Sequence, residues 1–465
     1  LPVAEPVEYV RICDAFGTGF FYIPGTDTCL QISGRVRVES HYVDDGFGSD
    51  DDDGGGNNDD DDDGSSDNDF IDREFNNWTT RARANIRLDA RTQTDFGLIR
   101  AFFNIQVTEG PSDFATSYSS SLDLSAAFIT IANDWGTYTA GHTSSFFDFF
   151  GSNTFGTRVG IDDSTVDTTL FAWTFAGGNG FSGTISVEDP LSSGRRINPS
   201  TNFFDLNAEP DDLSVGALDN YEGQEAPDLV ANIRVDQGWG SAQIMGMVGQ
   251  IHDKQGFDDR RLERDDAPDI FFRGEGDEDG DALRWAVGAG LNANLPFFGL
   301  GFNSQVSYSE GAVGYVSGDP ISRGYFGGLN SGDFIGPDAD ETLTTAWSAR
   351  AGISGDFTET WGFLIDGSYT EIDTHSDRIN GRRRVVGGEG ARENVGVEID
   401  GLDYDMWGVV GTVTYTPVSG LLFGWEVGYN RLDIDEQDGE NTAELLGTDD
   451  DQDVIGAMFR VQRDF

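Results

Sequence analysis

The sequence predicts an all-β protein: a transmembrane antiparallel β-barrel of sixteen strands with short periplasmic turns and long extracellular loops. Three observations carry that reading. The last stretch, Val454–Phe465, places Ile455, Ala457, Phe459, Val461 and Phe465 on one face, interrupted by Arg463. Gly456, Met458, Arg460, Gln462 and Asp464 fall on the other, the period of two that sends successive side chains to opposite sides of a sheet. Tight turns and long polar segments alternate along the chain. No run approaches the about 18 apolar residues of a membrane helix. The chain is hydrophilic on average, yet a barrel with a lipid-facing outside and a wet inside scores the same way. The competing reading of the last strand alone is the edge of a soluble sandwich.

Taken in order, residues 1–29 form a small N-terminal segment leading into a barrel domain over 30–465. The chain opens Leu1-Pro-Val-Ala-Glu-Pro without a charged-then-apolar leader and reads as a mature form whose export signal has been removed. Cys13 and Cys29 are the only cysteines. An even count in an oxidising compartment favours a disulfide, worth roughly 3 kcal/mol for a loop of that length. Two free buried thiols are the alternative, and a CxxC redox or zinc pattern is excluded by the spacing.

The first strand, 31–42, sets Gln31, Ser33, Arg35, Arg37, Glu39 and His41 against Ile32, Gly34, Val36, Val38 and Tyr42. In 78–90, Arg81, Arg83, Asn85, Arg87 and Asp89 oppose Ala82, Ala84, Ile86, Leu88 and Ala90. Trp285, Val287, Ala289, Leu291, Ala293 and Leu295 share one unbroken apolar face, and 421–431 repeats the pattern. Tight turns are expected at Thr92–Thr94, Asn133–Asp134, Gly177–Asn179, Gln237–Gly238, Pro296–Phe298, Asp356–Thr358 and Pro417–Val418. Long segments fall at 44–76, 109–121, 143–167, 189–226, 253–282, 311–343, 373–402 and 436–452. Seven turns and eight long segments delimit sixteen strands, with loop lengths segregated to the two ends as in outer-membrane barrels. Trp78, Trp135, Trp239, Trp407 and Tyr415 lie near strand ends, where headgroups would be.

The formal net charge is -54, from 83 acidic and 29 basic residues, which excludes a nucleic-acid binder working by phosphate neutralisation. G-x-S-x-G, HExxH and P-loop patterns are absent, and His41, His142, His252 and His375 are scattered, so no catalytic site is expected.

Two motifs add a resemblance. The segment Val7–Arg37, ending Cys29-Leu-Gln-Ile-Ser-Gly-Arg-Val-Arg37, closely resembles the N-terminus of the general porin family of alphaproteobacteria. Tyr138-Thr-Ala-Gly-His-Thr-Ser-Ser-Phe-Phe-Asp-Phe149 looks like that family's strand running into its third loop. Together they cover about a tenth of the chain. The resemblance implies an outer-membrane homotrimer, in contact with the lipid bilayer and lipopolysaccharide of a Gram-negative cell, that passes ions and small hydrophilic solutes by diffusion and needs no cofactor. It also implies that the third loop, 143–167, folds into the lumen. A channel selective for one small nutrient, or a plugged barrel acting as adhesin or structural anchor, are the competing functions.

Inward-facing arginines on neighbouring strands form the strongest constellation: Arg35, Arg37, Arg81, Arg83, Arg87, Arg100 and Arg460. Barrel closure makes the last strand a neighbour of the first, so these side chains are expected in one basic wall. Facing it, the third loop carries Asp148, Asp162, Asp163 and Asp167, and the pair would set a transverse field across the pore. Arginine is the nearly exclusive choice of base, since Lys254 is the only lysine. The bland alternative is that these arginines merely satisfy neighbouring carboxylates.

The stretch 44–72 holds 14 acids and no base, and departs from the family pattern. Such density reads as a solvated extracellular loop. Its runs Asp50, Asp51, Asp52, Asp53 and Asp59, Asp60, Asp61, Asp62, Asp63 also offer hard oxygen ligands for Ca2+ or another divalent cation, although no EF-hand pattern is present. If the run chelates calcium, the intact protein should gain thermal stability and change conductance with millimolar calcium relative to chelator, and a variant lacking 48–68 should not. Equal responses would leave only a solvated loop.

Overall fold

Once a sheet crosses lipid, every backbone N–H and C=O must find a partner inside the protein, which only a closed barrel supplies. The computed structural model describes residues 11–44, 77–111, 118–156, 159–192, 195, 224–252, 260–262, 270–272, 281–296, 299–318, 333, 343–374, 377–384, 392–399, 403–434 and 451–465. Sixteen antiparallel strands make the barrel. They are β1 (Cys29–Asp44), β2 (Trp78–Thr94), β3 (Gly97–Pro111), β4 (Tyr118–Asn133), β5 (Gly136–Ser144), β6 (Asp167–Gly178), β7 (Phe181–Asp189) and β8 (Asp228–Gln237). The other half is β9 (Gly240–His252), β10 (Asp281–Leu295), β11 (Leu300–Glu310), β12 (Thr345–Asp356), β13 (Trp361–Asp373), β14 (Tyr404–Val418), β15 (Leu421–Ile434) and β16 (Asp451–Asp464). Each pairs with its neighbour in sequence, and β16 closes on β1 from Arg35 opposite Asp464 to Asp44 opposite Ile455. At the seam Gly34 and Phe465 exchange both backbone hydrogen bonds, at 2.9 and 3.0 Å.

The outward face is what the alternation requires. Ile244, Phe171, Ile233 and Leu283 are each at least 60% exposed, an arrangement that is costly in water and favourable in hydrocarbon. Aromatic pairs ring both rims. Trp285–Tyr308, Trp347–Tyr369 and Trp407–Tyr429 lie towards the long-loop rim with centroids 5.1 to 5.4 Å apart. Trp361 stacks near Tyr415 and Trp425 at the short-turn rim. Tyr308 and Tyr369 donate their hydroxyls to Glu310 and Glu371, the wet end that an interfacial ring needs.

The turns differ in position from the sequence reading, by up to about three residues. β2 runs on to Thr94, and the turn is Asp95-Phe96, fixed by Gly97 at φ 129° and by Thr94 Oγ accepting from Phe96 N–H at 3.2 Å. The last turn is Ser419-Gly420 rather than Pro417-Val418, because Gly420 supplies the left-handed backbone at φ 78°. A second departure lies in the segments 253–282 and 373–402. These contribute strands Arg260–Leu262, Ile270–Phe272, Asp377–Arg384 and Arg392–Ile399 to a separate four-stranded antiparallel sheet. The acids Asp50–Asp53 and Asp59–Asp63 fall outside the described residues.

Before β1, a 3-10 turn Asp14–Phe16 and a three-residue strand Phe20–Tyr22 fold back on β1, with Phe20 opposite Gln31 and Tyr22 opposite Cys29. Cys13 and Cys29 form a disulfide with Cα atoms 6.0 Å apart, buried with Phe20. Reduction of the native protein should therefore raise its intact mass by two hydrogens. Two thiols open to alkylation before reduction would contradict the pairing.

Candidate functional site

The connection between β5 and β6 does not leave the barrel; it lies against the inner wall. Its backbone is fastened by inward-facing side chains of β7, β11, β13 and β15. Glu188 on β7 accepts from Ser145 Oγ at 2.6 Å and Phe146 N–H at 3.0 Å. Gln305 on β11 accepts from the N–H groups of Phe149 and Phe150, both at 2.9 Å. Asp366 on β13 takes Ser152 Oγ and the N–H groups of Asn153 and Thr154, and Glu426 on β15 takes Phe155 N–H at 2.6 Å. Further along, Asp162 N–H reaches Ser368 and Asn430 donates to Gly160 O. A loop buried against a wall must pair its amides, and acids aimed at runs of N–H groups do so with charge-assisted bonds. Room comes from inward-facing glycines. A side chain at Gly290 would meet the Phe149 ring, and one at Gly424 the Phe155 ring.

Behind the loop the lumen is filled. Phe147, Val230, Met245, Met247, Ala286 and Tyr315 form a dry cluster between β8–β10, the loop and the 3-10 turn Val313–Tyr315. Arg195 enters it from the long connection after β7. It donates to Asp148 at 2.5 Å, Ser145 Oγ at 2.8 Å, Ser164 O at 2.7 Å and Gly314 O at 3.1 Å, and lies 4.1 Å from the Tyr315 ring centroid. Burial works against its charge, but Asp148, Tyr315 and Glu188 outweigh burial and hold its pKa above the ordinary arginine value. Tyr315 is pushed well above its usual pKa by burial and by Asp228, so it stays a neutral donor to Asp228 at 2.8 Å. Arg284 on β10 pairs with the same carboxylate at 2.6 and 2.7 Å.

The opposite side is open. Side chains of Arg35, Arg37 and Arg81 remain 32%, 15% and 14% exposed, whereas Arg284 and Arg350 beneath the loop retain 1%. Register sets the basic rows. Arg460, Glu39 and Arg81 lie side by side on β16, β1 and β2, with Gln462, Arg37 and Arg83 in the next row. Glu39 is buried and accepts from Arg81 at 2.7 Å, with Arg37 at 3.4 Å and Arg460 in direct contact. One carboxylate thus holds three guanidinium groups together. Arg83 and Arg87 have no carboxylate within ion-pair distance among the described residues, and Arg35 is paired with Asp464 at 2.7 Å. Arg460 also stacks on Phe155 of the loop, 3.9 Å from its centroid, where wall and loop meet.

The structure therefore brings Arg37, Arg81, Arg83 and Arg460 into one cluster, with Arg35 and Arg87 on the rows below. Arg100 stands apart near the short-turn rim on Asp89, because β3 enters there. The loop acids correct the expectation. Asp148 is neutralised by Arg195 and caps Val166 N–H. Asp162 is buried and accepts from Gly318 N–H and Thr370. Asp163 caps Thr165 N–H and lies 3.5 Å from Arg350, and Asp167 accepts from Ser144 at the loop base. These carboxylates hold the loop in place instead of facing the basic wall, since desolvated backbone and arginine partners compete for them. Glu39 stood on the inward face without a role, and Glu188, Asp366, Glu426 and Arg195 were missed. The first four sit at inward parity, a signal available in the sequence; Arg195 carries none.

The sequence matches the porin subfamily over residues 1–458. The chain belongs to that family. It is 29% identical over 268 residues to porin Omp2b of Brucella abortus (strain 2308), covering 53% of this chain and 58% of that protein. The Omp2b porin of Brucella canis matches at 29% over 269 residues, with the same coverage. The chain thus spans somewhat more than half the length of these curated relatives. The outer membrane channel DcaP of Acinetobacter baumannii aligns with 96% of this chain and 99% of that one, at a TM-score of 0.57 and 14% identity, a likeness of fold. A porin-family barrel of this kind belongs to the Gram-negative outer membrane.

Replacing Asp366 by Ala removes the acceptor for the loop amides of Asn153 and Thr154. Bonds of that type are worth on the order of 2 kcal/mol each. The variant should fold but show larger, noisier single-channel currents as the loop leaves the wall. Unchanged conductance and noise would mean that other anchors suffice.

Proposed function

We propose that this porin-family protein is a water-filled channel for passive diffusion of ions and small hydrophilic solutes, working as a homotrimer in a bilayer whose outer leaflet carries lipopolysaccharide. The observation that carries the proposal is the asymmetry of the lumen. The in-folded loop and the Arg195 cluster fill the side of β7–β15, and the opposite side of β1–β4 stays accessible and basic. A solute passing the constriction moves between a loop whose carboxylates are engaged and a wall with surplus guanidinium charge. Fixed charges at close quarters set selectivity there. Acidic long loops impose the opposite sign outside, concentrating cations at the mouth over about a Debye length, ~10 Å at 0.1 M salt. The lumen asymmetry favours a channel over a plugged anchor, because a plug would leave the arginine rows dry.

Planar-bilayer recording tests both parts. The native protein should give stable conductance steps, grouped in threes if the assembly is trimeric. The double variant Arg37→Ser, Arg83→Ser should shift the reversal potential in a salt gradient towards cation selectivity by several-fold in permeability ratio. A folded variant with native selectivity would show that the cluster does not line the constriction, and an electrically silent native barrel would defeat the channel reading.

A further inference from the structure

Below the constriction, near the short-turn rim, the lumen wall carries a feature that diffusion of small hydrophilic solutes does not require. Phe102 on β3 and Phe128 on β4 share the inward face with Asn104 and Gln106; β-pairing sets Phe102 opposite Asp89, whose carboxylate points into the barrel. The two rings lie 5.2 Å apart. Neither is buried, so part of each apolar face is turned to the aqueous lumen. Arg100 lies over both, 4.9 Å from Phe102 and 5.2 Å from Phe128.

Asp89 organises the rest. It accepts Nε and Nη2 of Arg91 at 3.0 and 2.7 Å, and Nε and Nη2 of Arg100 at 3.1 and 3.0 Å. Two guanidinium groups on one carboxylate leave one surplus positive charge. The paired edges of both forks are consumed, and the Nη1 edges are left for another acceptor. Both arginine side chains stay about a quarter to a third exposed, at 26% and 30%. Arg91 is itself backed by Phe20, 4.9 Å away, from the disulfide-tied N-terminal segment. The guanidinium pair is therefore fixed from both sides before any solute arrives, which lowers the ordering cost of binding.

We propose that Asp89, Arg91, Arg100, Phe102 and Phe128 form a ledge that binds small monoanions with a flat apolar body, of which aromatic carboxylates are the simplest class. The single surplus charge suits a monovalent carboxylate, which the arginine Nη1 edges would hold by charge-assisted bonds. The ring pair offers an edge or offset-stacked contact to an arene and nothing comparable to acetate or chloride.

The inference rests on the channel reading for access through the lumen, so binding is measured apart from conduction. The probe is benzoate, with acetate as the control of equal charge, and binding to the folded full-length protein is followed by saturation-transfer NMR. Benzoate should bind roughly two- to tenfold more tightly to the native protein than to the variant Phe102→Ser, Phe128→Ser, the range expected from aromatic contacts; acetate should not distinguish the two. If that variant fails to fold, the single variant Phe128→Ser replaces it and should weaken benzoate, but not acetate, in the same direction. Equal benzoate binding in native and folded variant proteins, or a parallel loss of acetate, overturns the ledge. In bilayers, benzoate should reduce the KCl current through the native channel more than acetate does. A channel that conducts KCl but does not discriminate between them overturns the ledge alone. A barrel that is silent yet binds benzoate through Phe102 and Phe128 supports the ledge and overturns the channel reading.

Discussion

Closure of the sheet between β16 and β1 is the constraint on which everything else depends. An open edge in hydrocarbon would leave a row of backbone donors and acceptors unpaired, at several kcal/mol each. Pairing Arg35 to Asp44 with Asp464 to Ile455 removes that edge. The same register puts Arg460 beside Glu39 and Arg81. The basic cluster in the lumen is thus a consequence of where the two ends of the chain meet.

The interior solves a second problem. A barrel of sixteen strands leaves a wide hollow, and the connection after β5 reduces it without giving up hydrogen bonds. Inward carboxylates and amides on the far wall receive the loop's N–H groups, while glycines at Gly290 and Gly424 let its aromatic rings approach the sheet. The arginines on this side each have an acid partner: Arg284 with Asp228, Arg195 with Asp148 and Arg350 with Asp163. Buried pairs of this kind are costly to break because one partner is then left uncompensated. The near side differs: several guanidinium groups converge on the single carboxylate of Glu39. Mutual repulsion among them is lessened because Glu39 lies between them and the side chains of Arg37 and Arg81 keep some exposure.

Strand number, the inward and outward faces and the clustering of Arg37, Arg81, Arg83 and Arg460 were legible from alternation, because a period of two fixes the face of every residue once one is known. Turn positions were read up to about three residues early where glycine at positive φ, as at Gly420, decides the bend. The loop acids Asp148, Asp162 and Asp163 were misassigned for a different reason. A carboxylate in an irregular segment has no parity, and its partner is set by what folds against it: Arg195 from a distant loop, Gly318 from another, Arg350 from the wall.

Alternation and composition were enough to read the closed barrel, its lipid-facing and wet faces and the basic character of one stretch of wall, and they favoured a disulfide that the structure then shows. These follow from local periodicity and composition, which act on neighbours in the chain. Only the tertiary structure decided which half of the lumen is filled, that Asp366 and Glu426 anchor the loop, that Arg195 locks it from behind, and that Phe102 and Phe128 lie beneath Arg100. Apart from Arg100 over Phe102 on the same strand, those contacts join residues from 28 to 271 positions apart, and no local pattern encodes the partner that a side chain meets across a hollow barrel.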